Sequence, residues 1–126
     1  MPWSSPDVDR IAATDEIDIA PETPHGGLRR WVTIWVVRVD DEIVIRSYTG
    51  SGGRWYRAAR ASGRGRVRVG DRVDAVAFEP ATDLDAGRVD AAYRSKYGRS
   101  SYVDTMLNPT AAATTLRLVP DHKEQP

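Results

Sequence analysis

The sequence contains no cysteine, two histidines, two lysines and a single phenylalanine in 126 residues. Without cysteine there are no disulfides, no thiolate metal sites and no cysteine nucleophile. With only His25 and His122, neither a histidine-based triad nor a histidine metal cluster is expected. No apolar run approaches the roughly 20 residues of a membrane helix. The start, Met1-Pro2-Trp3-Ser4-Ser5-Pro6-Asp7, lacks the basic and apolar regions of a signal peptide. These absences lead us to expect a soluble, cytoplasmic protein with no membrane partner. What is present, 40% hydrophobic and 29% charged residues, suits one compact domain over 1–120 and a disordered tail over 121–126.

Acids and bases balance, but unevenly along the chain. Residues 1–28 carry net −5, residues 29–72 net +7 and residues 73–126 net −2. Sixteen of the eighteen bases are Arg, whose planar fork matches phosphate and carboxylate bidentately. A small ligand bearing one of these groups therefore suits the middle segment; codon bias in a GC-rich genome would also produce the excess. A net charge of zero and a pI near 6.7 argue against binding driven by a nucleic-acid backbone.

Periodicity predicts a short helix over 6–13 with Ser5 as its N-cap and a strand over 17–20. Next comes a long strand over 29–39, apolar on both faces and therefore central, followed by a return strand over 42–48. A helix over 54–61 leads into a hairpin of 66–69 and 72–78 turned at Gly70-Asp71. A helical stretch over 84–97 stops at Gly98, a further helix begins at Ser100, and a last strand covers 114–119. The sum is an α+β fold: a mostly antiparallel six-stranded split β-barrel with short helices, its open edge and aromatic surface covered in a twofold homodimer.

Three groups of residues could carry chemistry. In the first, Arg46 and Ser47 end a strand, the loop Thr49-Gly50-Ser51-Gly52-Gly53 follows, and Arg54-Trp55-Tyr56 opens a helix. Glycine amides, a helix N-terminus and converging Arg suit an anion, although the same segment reads equally as a surface loop with Arg46 paired to an acid. The second, Gly26-Gly27-Leu28-Arg29-Arg30, could add Arg29 and Arg30, or be a turn with solvated Arg. The third is Asp90-Ala91-Ala92-Tyr93-Arg94-Ser95-Lys96-Tyr97-Gly98. Here Asp90 and Arg94 have ion-pair spacing, and Lys96 with Tyr93 and Tyr97 could supply a catalytic acid or base.

The Asp-Ala-Ala-Tyr-Arg-Ser-Lys-Tyr-Gly run and the terminal Thr114-Thr115-Leu116-Arg117-Leu118 resemble an uncharacterised bacterial domain family. The strand ending in Ser47, the glycines after it, Trp55-Tyr56 and Val67-Arg68-Val69 are similar to the FMN-binding split barrels, in particular their deazaflavin-dependent nitroreductase branch. That resemblance implies FMN or a deazaflavin held by Ser47, Gly50, Arg54 and Trp55, with Arg46 nearby and Arg29 and Arg30 reaching an acidic tail. Ala58 stands where that branch has Asn, and the segment 84–108 has no counterpart in it. The implied activity is that of a flavin- or deazaflavin-dependent oxidoreductase on a small organic substrate. A cofactor-free isomerase or cyclase using Tyr93, Lys96 and Tyr97, or a metabolite-binding module, would use the same pocket.

Overall fold

A computed structural model describes residues 3–121. The elements follow in the order α1 Ser5–Ala12, β1 Glu16–Pro21, β2 Val32–Trp35, β3 Val37–Val39, β4 Glu42–Ile45, α2 Arg54–Ser62, β5 Arg64–Val69 and β6 Arg72–Pro80, then α3 Ala86–Tyr97, α4 Pro109–Ala112 and β7 Leu116–Pro120. Short 3-10 turns cover Gly50–Gly52 and Val103–Met106. The cap of α1 falls one residue earlier than expected: the Ser4 hydroxyl accepts from the Asp7 amide at 3.2 Å.

All seven strands join in one antiparallel sheet of order β2-β1-β5-β6-β7-β4-β3. Its two outer members, β2 and β3, are separated in sequence only by Val36. One run of chain therefore lies along both margins of the sheet and curls it into a nearly closed barrel. The expected strand over 29–39 is this run, broken at Val36, which is why seven strands are found where six were expected.

The barrel interior holds Ile17, Ile19, Ile43, Ile45, Leu116 and Leu118, all 1% exposed or less. Val8 and Ile11 of α1 close one side of it, and Tyr56 and Ala59 of α2 another. Trp3 is also buried, its indole N–H donating to the Leu118 carbonyl at 2.7 Å. A second apolar layer lies outside the barrel, where Val37, Val39 and Val44 meet Val89, Tyr93 and Tyr97 of α3. The two-faced apolar pattern of the 29–39 run thus has a physical cause other than a central strand: Ile34 and Val36 pack into the barrel, and past the break Val37 and Val39 pack on α3 while Arg38 is exposed.

Gly65 marks the closest approach of β5 to β1, since a side chain there would strike the Ala20 carbonyl, Pro21 and the Phe78 ring. Asp121, the first residue of the expected tail, is buried: its amide donates to the Ala75 carbonyl at 2.9 Å and its carboxylate accepts from Arg64 at 3.0 Å. The remainder of the expected tail, 122–126, lies outside the described residues.

Candidate functional site

The segment 46–57 divides into an inward and an outward half. β4 ends by sending Arg46 inward, where its side chain has no exposed surface. Its Nε donates to the Thr115 hydroxyl at 2.9 Å, and one terminal nitrogen donates to Asp90 at 2.5 Å and to the Met106 carbonyl at 2.8 Å. The guanidinium also lies over the Tyr93 ring, 5.7 Å from its centre. Asp90 is thus turned to Arg46 and not to Arg94, the partner expected from helical spacing. This choice is physically sound, because a fully buried guanidinium left without a carboxylate would cost far more than an exposed one.

Ser47 and Gly50 belong to the same internal network. The Ser47 amide donates to the Thr114 hydroxyl at 2.8 Å, and the Ser47 hydroxyl donates to the Gly50 carbonyl at 3.0 Å. Gly50 has a left-handed φ of 74°, and a side chain on it would overlap the Thr110 methyl. Packing against α4 therefore accounts for the glycine without a ligand. Thr114, Thr115 and Asp90 went unnoticed as partners of this loop, yet they lie in the two sequence runs that carried the family resemblance.

The third group surrounds the break in the barrel margin. Val36 is fully buried and falls between β2 and β3. Its amide donates to the Tyr97 hydroxyl at 3.1 Å, and its carbonyl accepts Lys96 Nζ at 2.8 Å. The Tyr97 hydroxyl in turn can donate to the Asp15 carbonyl at 2.6 Å or to the Val36 carbonyl at 3.0 Å. Burial pushes the Tyr97 phenol up to about 12. Burial also lowers the Lys96 ammonium, with Asp15 acting in the opposite sense. Tyr93 is 0% exposed and its hydroxyl finds no partner; burial raises its pKa against the nearby Arg46 charge. Its phenol has no path to solvent, which removes it from contact with a substrate in this conformation.

The outward half is different. Thr23 and Gly27 pair across the turn at 22–28, where the Thr23 amide donates to the Gly27 carbonyl at 2.6 Å, and the Arg29 amide returns to the Pro21 carbonyl at 2.9 Å. The turn sets Arg29 and Arg30 beside α2. There a hollow of about 680 Å³ is lined by Arg29, Arg30, Arg54, Leu28 and Trp55. An adjoining hollow of about 450 Å³ shares Arg29 and Arg54 and adds Arg57. Among the described residues, none of these four guanidinium groups has a carboxylate partner. Arg57 was not singled out from the sequence, although its position three residues after Arg54 puts both on one helical face.

Trp55 and Val32 connect this basic hollow to a larger cleft of about 700 Å³. Its walls include Ile34, Trp35, Trp55 and Met106, with Tyr48 and Tyr102 at 65% and 69% exposure. Trp35 is one of these wall residues and is not fully buried. It stacks on Tyr97 with 4.1 Å between ring centres and 3° between planes. Trp31 lies beneath Arg68, 4.3 Å from the guanidinium.

The chain is thus a small antiparallel barrel whose apolar aromatic cleft opens into a basic hollow. Residues 7–118 match the bacterial family described as "Uncharacterized protein conserved in bacteria (DUF2255)", and the chain belongs to it. Among solved structures, a FAD-binding protein from Mesorhizobium loti shares the fold with 17% identity and a TM-score of 0.59, over 96% of this chain and 92% of that one. A conserved hypothetical protein from Mycobacterium tuberculosis matches at 13% identity and a TM-score of 0.58, over 92% of this chain and 78% of the other. An F420 reductase matches at 16% identity and a TM-score of 0.50, over 90% and 91%. No curated protein matches the sequence. These likenesses establish the fold. Among the described residues no helix is long and apolar enough to cross a membrane.

Proposed function

We propose that the protein binds a flavin or deazaflavin cofactor and acts as an oxidoreductase on a small organic substrate. The observation that carries this reading is the junction at Trp55, where an apolar cleft of about 700 Å³ meets four guanidinium groups without carboxylate partners. The donor set fits such a group: a flat ring suits apolar and aromatic walls, while a phosphate or acidic tail suits Arg29, Arg30, Arg54 and Arg57. The names of two structural neighbours, a FAD-binding protein and an F420 reductase, support the same choice.

The cofactor, when bound, supplies hydride chemistry that no side chain here offers. The chain's own residues have the other tasks. Arg29, Arg30, Arg54 and Arg57 neutralise and orient the anionic end. Trp35, Trp55 and Met106 exclude water from the ring. Ser47 and Gly50 stand behind that wall, and Arg46, which borders the cleft, is held in place by Asp90 and Thr115. Tyr93 and Tyr97 take a supporting part in this reading and not the acid–base part expected from the sequence, since their hydroxyls are enclosed or committed to the backbone at Val36; Lys96, bound to the Val36 carbonyl, borders a different hollow and not this cleft. A twofold dimer would cover the exposed Tyr48 and Tyr102 at the cleft rim.

Titration with FMN, FAD and a deazaflavin, followed by cofactor fluorescence, tests the reading. Saturable binding of at least one is expected, with Arg54→Ala/Arg57→Ala weakening it by about tenfold or more at unchanged circular dichroism. Equal affinity in the variant, or no binding of any of the three, would overturn it and leave a cofactor-free use of the cleft.

A further inference from the structure

A second hollow lies on the other side of Trp35, between the C-terminal end of α3 and the start of β1. It measures about 690 Å³ and is lined by Arg94, Lys96, Arg99, Asp15, Glu16 and Trp35, among others. Unlike the basic hollow at Arg54, it brings unpaired groups of both signs to one place. Arg38, Arg46, Arg68, Arg72, Arg88 and Arg117 each meet a carboxylate within ion-pair distance. Arg94 and Arg99 meet none among the described residues, and neither do Asp15 and Glu16, although all four border the same hollow.

The α3 dipole accounts for bases in its last turn, where Arg94 and Lys96 lie. It does not account for Arg99, which is past the helix end, nor for two carboxylates that border the same hollow without forming an ion pair there, Asp15 acting on Lys96 only through its field. Lys96 is the only lysine among the described residues, and its ammonium is fixed by the Val36 carbonyl at 2.8 Å, with two further N–H donors remaining. A lone anion would meet Arg94 and Arg99 favourably but would also face Asp15 and Glu16. A ligand bearing charges of both signs satisfies both walls.

We infer that this hollow binds a small zwitterion of the amino-acid class, its carboxylate toward Arg94, Lys96 and Arg99 and its ammonium toward Asp15 and Glu16. The site is separate from the basic hollow at Arg54, and Glu16 and Trp35 border both it and the cleft.

The test is an amide NMR titration of the full chain with a panel of free amino acids, and with succinate and inorganic phosphate as anions without an ammonium group. At least one amino acid is expected to shift the Ser95, Gly98 and Ser100 amides saturably. Its affinity should fall about tenfold in Arg94→Ala/Arg99→Ala and stay unchanged in Arg54→Ala/Arg57→Ala. Arg94 and Arg99 are exposed and unpaired, so the variant should fold as the parent does. The inference falls if no amino acid gives saturable shifts, or if succinate or phosphate binds as tightly as the best amino acid. It falls equally if Arg94→Ala/Arg99→Ala leaves the affinity unchanged. None of these outcomes depends on whether a flavin binds at the cleft.

Discussion

Arg46 and Arg54 sit at the two ends of one loop and serve different purposes. Arg46 has no exposed side-chain surface and meets Asp90, Thr115 and a carbonyl; Arg54 is exposed and meets no carboxylate. The same contrast runs through the whole basic segment. Its net charge of +7 is offset within the fold by acids from both flanking segments: Arg38 takes Asp9, Arg46 takes Asp90, Arg64 takes Asp121, Arg68 takes Asp18 and Arg72 takes Asp7. Arg29, Arg30, Arg54, Arg57 and Arg60 meet no carboxylate among the described residues; Arg60 is held by the Tyr56 hydroxyl at 3.0 Å, and the other four surround the basic hollow. A count of bases along a chain therefore does not locate a binding surface, whereas the bases left after internal pairing do.

The largest effect that separates the two kinds of arginine is on stability. Arg46→Ala leaves Asp90 and the Met106 carbonyl without their donor, and breaking a buried pair of this kind costs about 3–5 kcal/mol. Because the Asp90 side chain keeps 24% of its exposure, the lower end of that range is expected. Urea unfolding followed by Trp fluorescence measures it. Replacing both partners, as Arg46→Met with Asp90→Leu, should recover part of the loss, since no orphaned charge remains. A loss below about 1 kcal/mol in the single variant would mean that Arg46 is no more structural than Arg54.

A smaller effect is expected at the barrel break. Tyr97→Phe deprives the Val36 amide of its acceptor, at about 1–3 kcal/mol for a buried group left unsatisfied. It also carries a pH signature. Burial raises the Tyr97 phenol from 10.0 to about 12. The stability gained from keeping it neutral is thus complete below pH 10 and disappears as the pH rises through about 12. The difference in urea midpoint between parent and Tyr97→Phe should therefore be smaller at roughly pH 11 than at roughly pH 8. A difference that stays constant with pH would show that the phenol is not the group responsible.

These two positions also show what the sequence could and could not convey. Strands and helices were legible because each has a period: Ile17 and Ile19 alternate, and Val89, Tyr93 and Tyr97 recur at helical spacing. The α+β barrel followed from their order. The break at Val36 was not legible, because it is defined by partners 60 and 61 residues away. The same holds for Arg46: local sequence offered a glycine loop and a helix start, and only the fold shows Asp90 and Thr115 turning that residue inward. The resemblance assigns Arg54 and Trp55 to one site and Arg29 and Arg30 to a second, and all four border one hollow. Arg57 was within reach of helical spacing alone.

The smallest effect tests whether burial or distance makes the difference. Arg88 and Asp40 approach to 2.6 Å, almost as near as Arg46 and Asp90 at 2.5 Å, but their side chains are 54% and 66% exposed. Each shifts the other's titration in the direction of a pair, with the hydrogen bond between them as the leading cause. Water screens such a pair, and holding two long side chains together offsets most of the gain. Arg88→Ala should accordingly leave the urea midpoint within experimental error of the parent. A shift comparable to that of Arg46→Ala would make proximity the deciding property, and the division of the arginines into structural and available ones would have to be redrawn from distances and not from exposure.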